Sequence, residues 1–553
     1  MKDAMPILCR LVVLVGFFVA PVHAQTTGTC APAEAEAYLD VNNVRARIFN
    51  NGALFWKGQP YVYEVPKGSG VNAIFNASFW IGGLHGVQRR VASPRYGNWE
   101  FWPGPLDDDG HPPHRCTFFD RIYKITRNDI ERYYETGIFT PDLFEWPHNL
   151  GAPVLDGDGD PDNYNLEKGD QPALVGDQML WWIMNDVGNE HKTSGSPPIG
   201  MEVQGTAFAF NRDPRSPFTN TTFYRYRLHY KGQRPLEQTY VALFVDTDLG
   251  NFDDDWVGAD TTLAMGFVYN GDNDDEGPYG YGLNPPALGV VLIQGPLIAA
   301  DGRDNDRDGL VDEPGERLMM TAFTTAHVEV HERSSSNQAY NSMRGLTPFG
   351  KPINEGGLLG YGHQNRTTIM LAGDPVTAQF WSEPNWDGKG TPTTPSDRTM
   401  LISSGPFTMQ PGETQEIIFA MVWSQGDDHL DAVRQLKKDV ARIRDGAEQV
   451  LQPTSVPMPG LPLEPVFPLG FAQNYPNPFS TYTIIRYGLP QSMYVRLRVF
   501  DVLGREVAML VDGQQQGGIY EASFVTRDLP AGVYFYRIEM DHLTSTRRMV
   551  LIR

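Results

Sequence analysis

Between Leu451 and Gly470 the chain carries Pro453, Pro457, Pro459, Pro462, Pro465 and Pro468. Each proline lacks a backbone donor and fixes φ, so this stretch cannot sustain a helix or a sheet and is expected to run as an extended spacer. Whatever lies on either side must fold by itself. Residues 451–470 therefore read as a linker, with residues 471–553 tethered to a body upstream.

The tail opens at Asn474-Tyr475-Pro476-Asn477-Pro478-Phe479, where the prolines hold the backbone extended ahead of the β-prone run Thr483-Ile484-Ile485-Arg486-Tyr487. From Tyr494 to Phe500, Val495, Leu497 and Val499 alternate with Arg496 and Arg498, which puts aliphatics on one face of a strand and arginines on the other. An aliphatic face of this kind needs a second sheet to cover it. Asp501-Val502-Leu503-Gly504-Arg505 supplies a turn, Leu529-Pro530-Ala531-Gly532 a second, and Arg547 to Arg553 a final strand. The spacing predicts a compact antiparallel sandwich.

This segment resembles the type A C-terminal sorting domain of the type IX secretion system of Bacteroidota-like bacteria. Three blocks in order carry the resemblance: Asn474 to Phe479, Val499 to Val507, and Leu529 to Tyr534 with the basic last strand. The resemblance makes Asn474, Pro476, Asn477, Pro478, Phe479, Gly504 and Gly532 sorting-signal residues. It also implies the secretion machinery as a partner, passage across the outer membrane after periplasmic transit, removal of the tail, and release or attachment at the cell surface.

The other end agrees. Lys2 and Arg10 precede the apolar run Leu11 to Ala20, and Val22-His23-Ala24 offers a small-x-small cleavage site, so residues 1–24 read as a secretory signal. No later stretch approaches the roughly 20 apolar residues that a spanning helix requires. Of the three cysteines, Cys9 lies within the signal, which leaves Cys30 and Cys116 to form one disulfide in an oxidising compartment. The formal net charge of -22 disfavours nucleic acid and anionic lipid as partners and suits cation binding or plain solubility outside the cell.

The body reads as mainly β and multi-domain, sandwich-like, with residues 25–211 as an N-terminal β-rich region and residues 212–450 as a second one ending in a helix. Thr222 to Tyr230, Thr239 to Val245, Thr261 to Tyr269, Leu288 to Ile293 and Glu416 to Trp423 are β-prone runs separated by Gly, Pro, Asn and Asp. Asp428 to Val450 is the one long amphipathic pattern, with Leu430, Val433, Leu436, Val440 and Ile443 as its stripe and Asp427 or Asp428 as cap. The interior also resembles uncharacterised regions of other type IX cargo proteins, at Val65 to Gly70, Trp80 to Leu84, Phe101 to Pro105, Gly176-Asp177-Gln178 with Trp181-Trp182, and Asn284 to Gly289. No activity comes with that likeness.

Two acidic segments carry cation chemistry. Asp304, Asp306, Asp308, Gly309 and Asp312 fall at positions 1, 3, 5, 6 and 9 of a calcium loop. Gly315 stands where a bidentate Glu would close the loop, so Glu313 or Glu316 would substitute. Asp156, Asp158, Asp160 and Asp162 form a second set, with Glu167 and Asp170 beyond and Pro161 where the loop favours glycine. Structural calcium is the expected cofactor. Asp246, Asp248, Asp253, Asp254 and Asp255 are a third acidic stretch, too irregular for ligand assignment and expected to be a solvated loop.

His327, Glu329 and His331 would share one face of a strand, a zinc-compatible set that more often marks the wet side of a half-buried strand, and His111 and His114 read as loop residues. Trp56, Trp80, Trp99, Trp102, Trp146, Trp181 and Trp182 suit core packing, with sugar stacking as the functional alternative. Nucleophile-elbow, HExxH, P-loop and dinucleotide fingerprints are missing, so no catalytic residue is assigned. The sequence thus points to an exported, calcium-stabilised binding or structural protein of adhesin type with a surface glycan or protein as ligand. An exported polysaccharide hydrolase is the alternative.

Overall fold

A computed structural model describes residues 29–298, 303–304, 311, 315–326, 334–356, 365–385, 392–456, 470–471, 474, 477–489, 491–526, 529–540 and 543–552. The signal segment 1–24, Asp306, Asp308, Asp312 and Glu313, the His327, Glu329 and His331 set, most of the spacer, and Pro476 lie outside the described residues.

The chain is mostly β, as expected, and the body is built on two nine-stranded antiparallel sheets. The first runs Glu36–Leu39, Arg45–Phe49, Ala53–Leu54, Ile74–His85, Leu236–Thr247, Arg398–Met409, Ala322–Ala326. The second runs Asp255–Asp260, Met265–Asn270, Ala287–Gln294, Thr414–Ser424, Thr221–Tyr230, Met201–Ala209, Gln178–Asn185, Trp102–Pro103. Period two sorts the side chains. On Leu236–Thr247, Val241, Leu243 and Val245 face inward and meet Leu180, Trp182, Tyr226 and Phe419 of the other sheet in one apolar core. Phe79 and Tyr226 stack across the gap with centroids 4.3 Å apart. Trp182 fits because Gly205 stands directly opposite it, where a Cβ would come within 2.2 Å of the indole.

The outward residues are covered as well. Behind the second sheet, helix His429–Val450 lays Val433, Leu436, Val440 and Ile443 onto strands Ala287–Gln294 and Thr414–Ser424, in one cluster with Val291, Ile418 and Val422. Its cap is Asp428, whose side chain accepts from the backbone N–H of Leu430 and Asp431. Behind the first sheet, Tyr340 and Met343 of helix Ser336–Met343 pack on Trp80, Phe244 and Leu401. A further helix, Arg127–Thr136, opens with a capping box between Thr126 and Asp129.

The expected division at Asn211 is not a division in the sheets. Met201–Ala209 and Thr221–Tyr230 lie on either side of it and pair along their length from Met201 with Tyr230 to Ala209 with Thr222. Ile74–His85 pairs with Leu236–Thr247 across the same boundary, so residues 25–211 and 212–450 contribute strands to both sheets. The polar, proline-containing segment Asn211 to Ser216 is the loop between two neighbouring strands.

The tail forms a second, smaller sandwich of a three-stranded and a four-stranded sheet. Val495, Leu497 and Val499 face its core with Ile485, Phe524 and Ile538, while Arg498 pairs outward with Glu539. Arg486 lies over the ring of Phe144 at 5.4 Å and Arg547 approaches Glu145 at 4.0 Å, the points where tail meets body.

Cys30 and Cys116 are joined in a disulfide, as expected, and both sulfurs are buried beside Trp102. The bridge spans 86 residues and ties the N-terminal segment to the second sheet. Cys116→Ser is expected to lower stability by about 2 to 5 kcal/mol, read as a lower urea midpoint with a somewhat larger m-value, since the unfolded chain loses its cross-link.

Candidate functional site

The loop after strand Val154–Leu155 folds because its aspartates turn back on the backbone. Asp156 Oδ1 accepts from the N–H of Asp158 at 3.1 Å and of Gly159 at 2.7 Å, and Asp158 Oδ1 accepts from Asp160 N–H at 2.9 Å. Asp170, 0 % exposed, closes the loop from its far end, accepting from Gly157 N–H at 2.9 Å and Asn165 N–H at 2.6 Å. Ligand oxygens of Asp156, Asp158 and Asp170 all lie within 4.8 Å of one another. Asp160 and Asp162 point outside this group. Asp170 takes their place, and sequence reasoning saw it only as a residue beyond the repeat. Lys168 Nζ sits 3.1 Å from Asp158 Oδ2, and its hydrogen bond holds that carboxyl below the usual range. An all-oxygen, carboxylate-rich donor set fits a hard divalent cation, with the exposed lysine able to swing away.

Of the other calcium loop, Asp304 and Glu316 are described, Glu316 being buried.

The third acidic stretch is not the solvated loop its composition suggests. Alternation continues two residues past Val245, so Asp246 ends strand Leu236–Thr247 on the outward face with Phe244, and Asp248 follows on the same side. Asp397 arrives from the neighbouring strand, whose Arg398 pairs with Thr247. Asp246 and Asp248 are only 5 % and 9 % exposed, and oxygens of Asp246, Asp248 and Asp397 lie within 4.8 Å of one another. Burial, then the charges of Asp246 and Asp397, push the Asp248 carboxyl up to about 9. Of the remaining acids in this stretch, Asp255 is buried and Asp253 exposed.

An aromatic group borders these acids. A bulge at Phe75, between the pairs Asp246 with Asn76 and Thr247 with Ile74, turns Phe75 and Asn76 outward together. Phe75 lies 5.5 Å from Trp56, 4.9 Å from Tyr61 and 6.3 Å from Tyr96, all four rings being partly exposed. Burial first, then Asp246, which shares a hydrogen bond with its hydroxyl, raises the Tyr96 phenol; burial and then Asp248 raise Tyr61. Trp80, Trp102, Trp146, Trp181 and Trp182 are buried as core residues should be, whereas Trp56 and Trp99 reach the surface. His111 and His114 are exposed loop residues.

In the tail, the residues of the opening block hold the first segment to the last strand. Asn474 N–H donates to Tyr536 Oη at 2.7 Å and its amide donates to Thr483 Oγ1 at 2.9 Å. Asn477 Oδ1 accepts from Val550 N–H at 2.8 Å. Phe479 is buried, with its N–H on Val550 O at 3.0 Å and its carbonyl accepting from Ile552 at 2.8 Å. Gly504 has φ of 76° in the turn closed on Asp501, a conformation that favours glycine. Gly532 starts strand Gly532–Met540 in open space, and nothing around it demands glycine.

Asp254 carries a pH prediction. Burial, with the charges of Asp275 and Glu276 adding to it, pushes its carboxyl up to about 7. A carboxyl raised in the folded state binds more protons folded than unfolded, so its stabilising contribution is complete below about pH 4 and is lost as pH rises towards 7. Asp254→Asn is expected to flatten the fall in melting temperature between pH 4 and pH 7, measured by thermal melts across that range.

Among the described residues no helix is long and apolar enough to cross a membrane. No curated protein matches the chain. Among solved structures it is similar to a polysaccharide lyase, 8 % identical over 94 % of this chain and 46 % of that one, with a TM-score of 0.24, too low to argue from. This chain thus spans about half the length of that protein. Residues 473–552 match the family described as "Secretion system C-terminal sorting domain". The chain is a type IX secretion cargo, bound for the cell surface or extracellular space through its C-terminal sorting domain.

Proposed function

We propose that the body acts outside the cell by binding, as a calcium-stabilised adhesin-like or structural protein, with glycan as the favoured ligand class. The observation that carries this reading is the contiguous, partly exposed group of Trp56, Tyr61, Phe75 and Tyr96, bordered by carboxylates. Aromatic faces stack on the apolar faces of sugar rings, while acids and hydroxyls at the edge accept and donate hydrogen bonds to sugar hydroxyls. Calcium at Asp156, Asp158 and Asp170 would neutralise three carboxylates and fix the loop they close.

The rival reading is an exported hydrolase acting on polysaccharide, and the carboxylates next to the same rings favour it. A glycosidase, however, sets its two carboxyl groups apart across the scissile bond, at about 5 Å or about 6.5 to 9.5 Å. Asp246 and Asp248, whose oxygens lie within 4.8 Å of each other and of Asp397, are almost wholly buried and so offer little access to a scissile bond.

A glycan array probed with the mature chain should give binding that Trp56→Ala weakens about two- to tenfold, the range expected for one stacked ring. Release of reducing ends from any bound glycan, lost in Asp248→Asn, would transfer the assignment to the hydrolase. A chelator should lower the melting temperature, and Asp158→Asn should shrink that drop.

A further inference from the structure

We infer that Asp246, Asp248, Asp397 and the side-chain oxygen of Asn76 form a second divalent-cation site, for calcium, beneath the aromatic group on the outer face of the first sheet. The three carboxylates alone would be only an acidic cluster. Asn76 adds an independent observation. It is 0 % exposed and stands directly across from Asp246 on the neighbouring strand, so both side chains rise from one face of the sheet. Its amide nitrogen donates to Leu54 O at 3.3 Å, and its Oδ1 has no hydrogen-bond partner among the described residues. A buried carbonyl oxygen without a donor is costly, and beside three carboxylates a cation is the group that would both satisfy it and offset their charge.

The geometry suits the ion. Oxygens bound to one calcium at about 2.3 to 2.6 Å lie within about 5 Å of each other, and the three carboxylates meet that condition at 4.8 Å. The charged groups that act on Asp248 are Asp246 and Asp397, both acids. Arg95, the nearby cation, is spread over the rings of Tyr96 and Phe244 at 4.9 and 6.0 Å. The bulge that turns Asn76 outward also turns Phe75 outward, and Tyr96 hydrogen-bonds Asp246, so a bound ion would steady the rings that the proposed ligand would stack on.

The test uses the mature chain stripped with chelator, in a background of Asp156→Asn with Asp158→Asn that disables the first loop. Calcium is titrated by calorimetry, and terbium by its luminescence, excited through the adjacent tyrosines and tryptophan. Binding is expected to persist in this background, and adding Asp248→Asn should weaken it at least tenfold and quench the sensitised emission. The metal-free melting temperature of Asp248→Asn should stay level or rise, because a carboxyl whose ionisation is disfavoured by burial and by Asp246 and Asp397 gives way to a neutral amide of the same shape, while its calcium-dependent rise disappears. Calcium heats and terbium emission untouched by Asp248→Asn, or a melting temperature lowered equally with and without calcium, would overturn the site. Should that variant fail to fold, the half-buried Asp397→Asn decides on the same readouts. If the loop variants themselves change nothing, the first calcium reading fails while this one stands or falls on Asp248.

Discussion

The body depends on one burial event, the closing of two nine-stranded sheets over Val241, Leu243, Val245, Trp182, Tyr226 and Phe419. Fully burying a large aliphatic or aromatic side chain contributes about 1.5 to 3 kcal/mol, and dozens of them lie in this layer. Once the inward residues are committed, period two fixes every outward one. The outward face of the second sheet is taken by helix His429–Val450, and that of the first only partly by helix Ser336–Met343. The end of the first sheet beyond that helix is where Asp246, Asp248, Asn76 and the aromatic group come together.

Magnitudes say why that end invites a ligand. Two like charges about 4 Å apart repel by about 4 kcal/mol at an effective dielectric near 20, against a net stability of about 5 to 15 kcal/mol for a whole domain. Three carboxylates this close, two of them almost wholly buried, cannot all stay charged on such terms. Burial and its two acidic neighbours push the Asp248 carboxyl up to about 9, and a divalent cation would offset the same repulsion by supplying positive charge. The loop at Asp156 solves the same problem differently, with backbone N–H groups and Lys168 on its carboxylates.

Much of this was legible in the sequence where the signal is local. The tail strands followed from the alternation of Val495, Leu497 and Val499 with arginines, and the long helix from its stripe and its Asp428 cap. The disulfide followed from there being one pair to make. Partner choice between distant strands was not legible, because alternation tells which face is buried and not what covers it. The loop Asn211 to Ser216 has the composition of a linker, yet it joins Met201–Ala209 to the adjacent Thr221–Tyr230. Asp397 meets Asp246 only because Arg398 pairs with Thr247, and Asp170 completes its loop only because strands Val154–Leu155 and Gln171–Pro172 pair.

Sharing both sheets between the two halves of the body makes a strong claim about cooperativity, since neither half can keep its inner face dry without the other. Differential scanning calorimetry of the full chain tests it directly. One transition is expected for the whole body, with a calorimetric to van't Hoff enthalpy ratio of about 1, separate from that of the tail. Two independent body transitions, one for residues 25–211 and one for residues 212–450, would contradict it.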